Sequence, residues 1–278
     1  QPDTHKYRVG HLLVVAGSRR FAGAAILTGL GARASGVGMI TLVVPESLRL
    51  MVVGQIPEAL VMGGREGETG AMVALPEELD LVQYDAIACG PGLSQQALPL
   101  MEPLLAAQPP LVLDADGLNL LTQLNPLQML PKRSAPTLLT PHPGEFKRLF
   151  PEIAAASTPG ESPAQTAAAQ SQAVVLLKGA CTAIAHPDGR LRYIADSTPA
   201  LARGGSGDVL TGLVGGLMAQ YTATAEETSN DLALKAAMVA AWWHAQAARV
   251  AATERTQLGV DGTTLVAYLH RALGGVGA

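Results

Sequence analysis

Residues 203–208 read Arg-Gly-Gly-Ser-Gly-Asp and run straight into Val209–Leu210–Thr211–Gly212. Glycines directly before an apolar, helix-forming run let backbone N–H groups converge, and the helix dipole reinforces them. Gly205, Ser206 and Gly207 therefore form a candidate hole for a phosphate. Asp208 follows at the helix start. A carboxylate beside an anion hole can take a proton from a hydroxyl while the N–H groups neutralise a transferring phosphoryl group, which makes Asp208 the candidate general base. The same residue could also be an ordinary helix cap.

Four other segments place polar residues where strands end. Ala88–Cys89–Gly90–Pro91–Gly92 closes an apolar run with glycines, Gly90 and Gly92, that admit a ligand close to the backbone. In Leu113–Asp114–Ala115–Asp116 two carboxylates flank a strand end; Asp116, with Asn119, could orient water or a magnesium ion, or could cap a helix. Thr140–Pro141–His142–Pro143–Gly144–Glu145 carries ordinary helix-start residues around a histidine with no evident structural task. Lys178–Gly179–Ala180–Cys181–Thr182 sets a basic residue and a hydroxyl about a turn, where a lysine is commonly just a solvated charge. Gly23, Ala24 and Ala25 open a small-residue helix that permits close approach of a substrate. His244, inside an apolar helix, reads as a satisfied core histidine, and His5, His11, His186 and His270 as surface or packing residues.

These segments must be positioned by strands alternating with helices. Short continuous apolar runs at His11–Ala16, Met39–Val44, Ala86–Cys89, Pro110–Leu113, Thr137–Leu139 and Val174–Leu177 are typical of strands buried on both faces. Helical patterns cover Ala22–Ser35, Ala97–Ala107, Leu118–Leu124, Pro143–Phe150 and Pro163–Gln172. The alternation predicts right-handed crossovers and a mainly parallel sheet in an α/β sandwich. Pro187–Asp188–Gly189 between Ala183–His186 and Leu191–Ile194 predicts a hairpin and an antiparallel edge. Two hydrophobic helices follow, Val209–Gln220 and Leu232–Ala252, the second apolar on nearly every side and so buried in the chain or at a subunit contact. That helix and the sparse surface charge imply a homo-oligomer, a tetramer being the expected form. Ala154–Ala168 is low in complexity but short enough to be a loop and helix, and no linker divides the 278 residues, so a single domain is expected.

Composition narrows the function. Hydrophobic residues make up 48% and charged residues 15%, too apolar for a disordered chain. With 19 Lys and Arg against 23 Asp and Glu, no basic face invites nucleic acid. No apolar window reaches the ~18 residues that a membrane helix needs. Cys89 and Cys181 lie far apart in strand-like contexts, as buried small hydrophobes of a reducing, cytoplasmic setting do. No CxxC or HExxH spacing calls for zinc.

The GGSGD block before an apolar helix resembles the GxGD signature of the ribokinase-like superfamily. Further blocks, AGSRRFAGAAILTGLGARASGVG (residues 16–38), ACGPGLS (88–94), LDADGLNLL (113–121), LTPHPGEFKRL (139–149) and LLKGACT (176–182), resemble in order and spacing those of the ADP- or ATP-dependent NAD(P)H-hydrate dehydratases, across residues 5–270. The resemblance implies a three-layer α/β/α fold and a hydro-lyase that uses ADP, or ATP, with Mg2+ to dehydrate the 6S hydrate of NADH or NADPH. It implies that His142 contacts the hydrated nicotinamide, with Gly23, Ala24, Ala25, Gly90, Gly92 and Asp208 also on the substrate. Lys178, Gly179, Ala180, Cys181, Thr182 and Gly207 would contact the nucleotide, and Asp116 and Glu145 the metal region. Members of this kind are often fused behind an epimerase domain, and a chain starting at Gln1 is compatible with the dehydratase half of such a fusion. Two rivals share the machinery: a small-molecule kinase acting on a vitamin or sugar hydroxyl, and a silent nucleotide sensor. The sensor reading comes from residues 196–203, DSTPALAR, where family members commonly carry Gly-Asn or Asn-Pro-Gly.

Overall fold

The computed structural model describes residues 9–156, 161–225 and 228–274. His5 and the rest of the start of the resemblance up to Arg8, and residues 157–160 of the low-complexity tract, lie outside the described residues. The strands are β1 (His11–Val15), β2 (Met39–Pro45), β3 (Leu60–Glu66), β4 (Met72–Ala74), β5 (Ala86–Cys89), β6 (Leu111–Leu113), β7 (Thr137–Leu139), β8 (Val174–Leu177), β9 (Thr182–Ala185) and β10 (Leu191–Ile194). They form one sheet in the order β10-β9-β8-β7-β6-β5-β1-β2-β3-β4. Pairing is parallel from β8 to β3 and antiparallel at both edges.

The hairpin read from Pro187–Asp188–Gly189 is the β9–β10 edge, closed by Gly189 at φ +94°. The other edge, β3–β4, was not expected from the sequence, because Gly63 and Gly64 interrupt its apolar pattern. Those glycines are there for space: a Cβ on Gly63 would lie 1.6 Å from Glu46 Oε2, and one on Gly64 2.2 Å from Met72 Sδ.

Helices are α1 (Ala22–Ala34), α2 (Arg49–Gln55), α3 (Met101–Ala106), α4 (Asp116–Thr122), α5 (Pro126–Met129), α6 (Pro143–Leu149), α7 (Pro151–Ala156), α8 (Pro163–Ser171), α9 (Ser206–Thr224), α10 (Asn230–Arg255) and α11 (Gly262–Gly274). One apolar core joins α1, α2, α9, α10 and α11 to one sheet face, and a second joins α3–α8 to the other. These are the three layers that the strand–helix alternation predicts. The helix expected at Ala97–Ala107 is a 3-10 turn over Gln95–Leu100, which contains Pro99, followed by α3. Helix α10 is buried as its composition implies, with Met238, Val239 and Trp242 partly buried and packed against the same core. Cys89 is buried, and desolvation pushes its thiol up to about 12. Cys181 corrects the expectation of two buried cysteines: it is exposed in the turn between β8 and β9.

The chain runs outward from β1 through β2, β3 and β4, then returns to β5 on the other side of β1. Neighbouring crossovers part there, and open α/β sheets bind ligands beyond the strand ends at such a switch point. Two helices frame it at close range. A Cβ on Gly212 of α9 would fall 1.8 Å from the Thr28 carbonyl oxygen of α1, and one on Gly31 of α1 would fall 2.2 Å from the Val209 carbonyl oxygen of α9. The backbones touch, so α9 cannot shift along α1 without clashing. Gly212→Ala should therefore destabilise the fold by about 2–3 kcal/mol in urea unfolding. Gly54→Ala, at a helix position with nothing within 4 Å, should be neutral or stabilising by up to about 1 kcal/mol. Equal stability of the two variants would contradict the close seam.

Candidate active site

Strand β6 ends at Leu113, and the next residue, Asp114, points its carboxylate under the start of α9 at only 2% exposure. Each of its oxygens has a donor: Oδ1 accepts from Lys178 Nζ at 2.7 Å and Oδ2 accepts from Thr211 Oγ1 at 2.6 Å. One buried group thus ties the ends of β6 and β8 to the first turns of α9. Lys178 is not the solvated charge that a lysine before a turn usually is. Desolvation pulls its ammonium down, but Asp114, Glu145 at 3.9 Å and Asp208 outweigh that, and it stays above its ordinary value, charged. A Cβ on Gly207 would lie 3.6 Å from both Lys178 Nζ and Asp114 Oδ2, so the glycine loop rests directly over this pair.

Gly205, at φ +89°, is the N-cap of α9, and a side chain there would also meet Leu27 at 2.6 Å. Asp208 is therefore not the cap; it is the third residue of the first turn and makes no capping bond. Ser206 is turned away from the hole expected of it. Its hydroxyl donates to the Leu201 carbonyl at 2.7 Å and its N–H to the Arg203 carbonyl at 3.4 Å. The N–H groups of Gly207 and Asp208, which first-turn geometry leaves without an intrahelical partner, remain for an anion. His244 Nε2 stands 2.9 Å from the Ser206 carbonyl. Burial, with a smaller push from Lys178, lowers its imidazole to about 4, so the neutral ring donates this bond and holds the loop against α10.

The Asp208 carboxyl is raised to about 6, first by desolvation, then by Asp114 and Asp116, with Lys178 opposing. It is ionised at neutral pH and close enough to its midpoint to accept a proton readily.

Around this centre the other predicted residues fall on two flanks. On the α6 side, His142 does have a structural task, contrary to expectation. It is the N-cap of α6: Nδ1 accepts from the N–H groups of Gly144 at 3.0 Å and Glu145 at 3.3 Å, while Glu145 Oε2 accepts from the His142 N–H at 2.9 Å. This reciprocal capping box fixes the half-exposed ring, with Nε2 3.4 Å from Glu145 Oε1. Asp116 opens α4, but its cap is Ala115, held at φ +49°, and its carboxylate instead accepts from the Ser94 N–H at 2.8 Å and Asn119 Nδ2 at 3.3 Å. Ser94 has φ +77°, so this bond joins two strained turns.

Asp116 and Glu145 do not meet as a metal pair. Each is already bonded to backbone and side-chain donors, and among the described residues no group of three or more His, Cys, Asp or Glu could hold an ion. Asn119 is likewise committed, to Asp116 and Arg148.

On the β1–β5 side, Gly92 packs its Cα against Phe21 and Ala24, which brings the exposed Gly23 and half-buried Ala24 to the loop after β5. Ala25 does not reach the cleft, being fully buried with its methyl under Gly17. Gly90, at φ +130°, is buried where a Cβ would strike the Asp114 carbonyl oxygen at 1.9 Å, so it serves the approach of β5 to β6. Gly179, Ala180 and Cys181 form the exposed turn beyond Lys178, closed by Thr182. Asp114, Thr211 and Arg148 were not singled out from the sequence; an Asp two residues from another and a Thr three residues after Asp208 were the available signals.

Fold and site together define a three-layer α/β protein with a glycine loop at the start of α9 beside a carboxylate raised by burial. A protein from Enterococcus faecalis described as of the ribokinase-like superfamily shares this fold, with a TM-score of 0.78 at 24% identity over 98% of this chain and 90% of its own. Residues 12–271 match the model of the NAD(P)H-hydrate dehydratase family, and the chain belongs to that family. It is 54% identical over 268 residues to a bifunctional NAD(P)H-hydrate repair enzyme of Synechocystis sp., covering 96% of this chain and 49% of that protein. It is 37% identical over 244 residues to the ADP-dependent (S)-NAD(P)H-hydrate dehydratase of Bacillus subtilis, covering 86% of this chain and 83% of that one. A crystal structure of the B. subtilis ADP/ATP-dependent NAD(P)H-hydrate dehydratase, grown with ATP and Mg2+, superimposes with a TM-score of 0.77 at 32% identity over 99% and 92% of the two chains. The chain spans about half the length of the bifunctional relatives that it matches.

Proposed function

We propose that the chain is an ADP-dependent (S)-NAD(P)H-hydrate dehydratase, returning hydrated NADH and NADPH to the working cofactors. The observation that carries the reading is Asp208, raised to about 6 beside the free first-turn N–H groups of α9. Water is a poor leaving group, so the C6 hydroxyl is first phosphorylated. Asp208 takes the hydroxyl proton, and the hydroxyl oxygen bonds the terminal phosphorus of ADP as the bond to AMP breaks. The C6–O bond then breaks with its electron pair leaving on phosphate, N1 of the ring donates its lone pair to C6, and loss of the C5 proton restores the C5–C6 double bond.

Gly207 and Asp208 N–H groups hold the phosphoryl group. Lys178 and the turn through Gly179, Ala180, Cys181 and Thr182 receive the nucleotide. Gly23, Ala24, Gly92 and the half-exposed ring of His142 face the hydrated ring of the substrate. Magnesium supplies charge neutralisation on the nucleotide phosphates. Asp116 and Glu145 do not fit as its ligands, and no step is assigned to it.

The relatives named bifunctional support pairing with an epimerase that converts the R hydrate to the S form, on the same or another chain. Among the described residues no helix is long and apolar enough to cross a membrane. The exposed thiol of Cys181 fits a reducing, cytoplasmic setting.

A homotetramer is supported by apolar side chains left outward: Leu50 and Leu60, 78% and 55% exposed, with Met51 and Val53, around α2 and β3. Light scattering at micromolar concentration should give four times the chain mass, and a monomer mass would contradict it. The functional test is absorbance recovery from hydrated NADH with magnesium and ADP or ATP. The reduced nicotinamide should reappear, faster with ADP than with ATP. Accumulation of a phosphate ester without recovery would mark a kinase, and faster turnover with ATP would overturn the ADP preference.

A further inference from the structure

Arg148 takes no part in the chemistry assigned to Asp208. Its side chain runs back toward the start of α6, as helical side chains do, and Nη1 stands 3.9 Å from the Cβ position of Gly144. The His142 ring lies over the same glycine, its Cε1 2.9 Å from that position. The guanidinium therefore shares the cleft edge with the imidazole.

It is also held in place. Nε donates to Asn119 Oδ1 at 3.2 Å, Asn119 donates to Asp116 at 3.3 Å, and Asp116 accepts from Ser94 in the loop after β5. Among the described residues Arg148 forms no ion pair. With Gln95, Asn119, Thr122 and Gln123 it lines a cavity of about 410 Å3 on the α4–α6 flank.

Charge gives this arrangement a purpose. Asp114, Asp116, Glu145 and Asp208 gather at the strand ends, and Lys178 is already paired with Asp114. A dinucleotide hydrate carries a pyrophosphate, and the NADPH form a 2′-phosphate as well, so it needs a cation outside that acidic centre. The phosphates of the cosubstrate are assigned to the first turn of α9 at the centre of the site. We infer that Arg148 anchors a phosphate of the dinucleotide hydrate at the α4–α6 flank, with the Gln95 side-chain amide N–H beside it. The inference rests on the dehydratase reading.

The test compares wild type, Arg148→Gln and Arg148→Lys with the S hydrates of NADPH and NADH at saturating nucleotide. It also measures Kd for NADPH and NADH themselves by fluorescence, which needs no turnover. Loss of a charge-assisted contact at a partly exposed site should raise KM and Kd about 10-fold in Arg148→Gln, with kcat and the nucleotide KM nearly unchanged. Arg148→Lys should recover part of the loss. Weakening confined to the NADPH forms identifies the 2′-phosphate, and equal weakening of both identifies the pyrophosphate. Unchanged Kd for both cofactors, or an effect confined to the nucleotide KM, overturns the inference. If wild type turns over neither hydrate, the dehydratase reading fails, while the Kd values still decide whether Arg148 holds a dinucleotide phosphate.

Discussion

A carboxylate buried to 2% exposure is costly unless donors meet its oxygens, and Asp114 finds one for each in Lys178 and Thr211. The three partners come from the end of β6, the end of β8 and the second turn of α9, elements brought together only by the complete sheet. Breaking such a pair from one side typically costs about 3–5 kcal/mol, because the surviving charge stays buried. The clamp therefore fixes where α9 begins, and the start of α9 is where the free first-turn N–H groups and Asp208 lie. The Asp114 charge also adds to the desolvation that raises the Asp208 carboxyl, so one residue both places the proposed base and tunes it.

A second constraint fixes the direction of α9. Glycines at 31 and 212 let the α1 and α9 backbones touch, which leaves room for no other crossing. His244 closes the third side through the Ser206 carbonyl and stays neutral. Ser206 then acts as a strut between α10 and the turn at Leu201, which leaves the N–H groups of Gly207 and Asp208 as the open donors of the first turn.

The parallel sheet was legible because its strands are buried on both faces and read as continuous apolar runs. The β3–β4 edge was hidden because Gly63 and Gly64, chosen for space, erase that signal. Asp208 could be found from glycines ahead of an apolar helix. Asp114 could not be separated from Asp116 in Leu-Asp-Ala-Asp, since only the positive φ of Ala115 turns the first carboxylate inward and the second toward Ser94. Thr211 looked like filler in a hydrophobic helix. His142 was read as free because caps are usually Ser, Thr, Asp or Asn, whereas here Nδ1 accepts the two N–H groups that those side chains would take. Lys178 escaped for the converse reason, its buried partner lying 64 residues away.

Asp208→Asn tests the central claim most directly, because a base and a structural residue respond oppositely. With the folded carboxyl at about 6 against an ordinary 3.8, the native state binds its proton more tightly than the unfolded chain. Ionisation therefore lowers stability as pH rises through that window, and the neutral amide escapes the penalty. Near pH 7 the variant should melt at the same temperature as wild type or higher, while kcat on hydrated NADH falls about 10²–10⁴-fold and nucleotide affinity, held by backbone N–H groups, changes little. Near-normal turnover, or a melting temperature several degrees below wild type, would contradict the account.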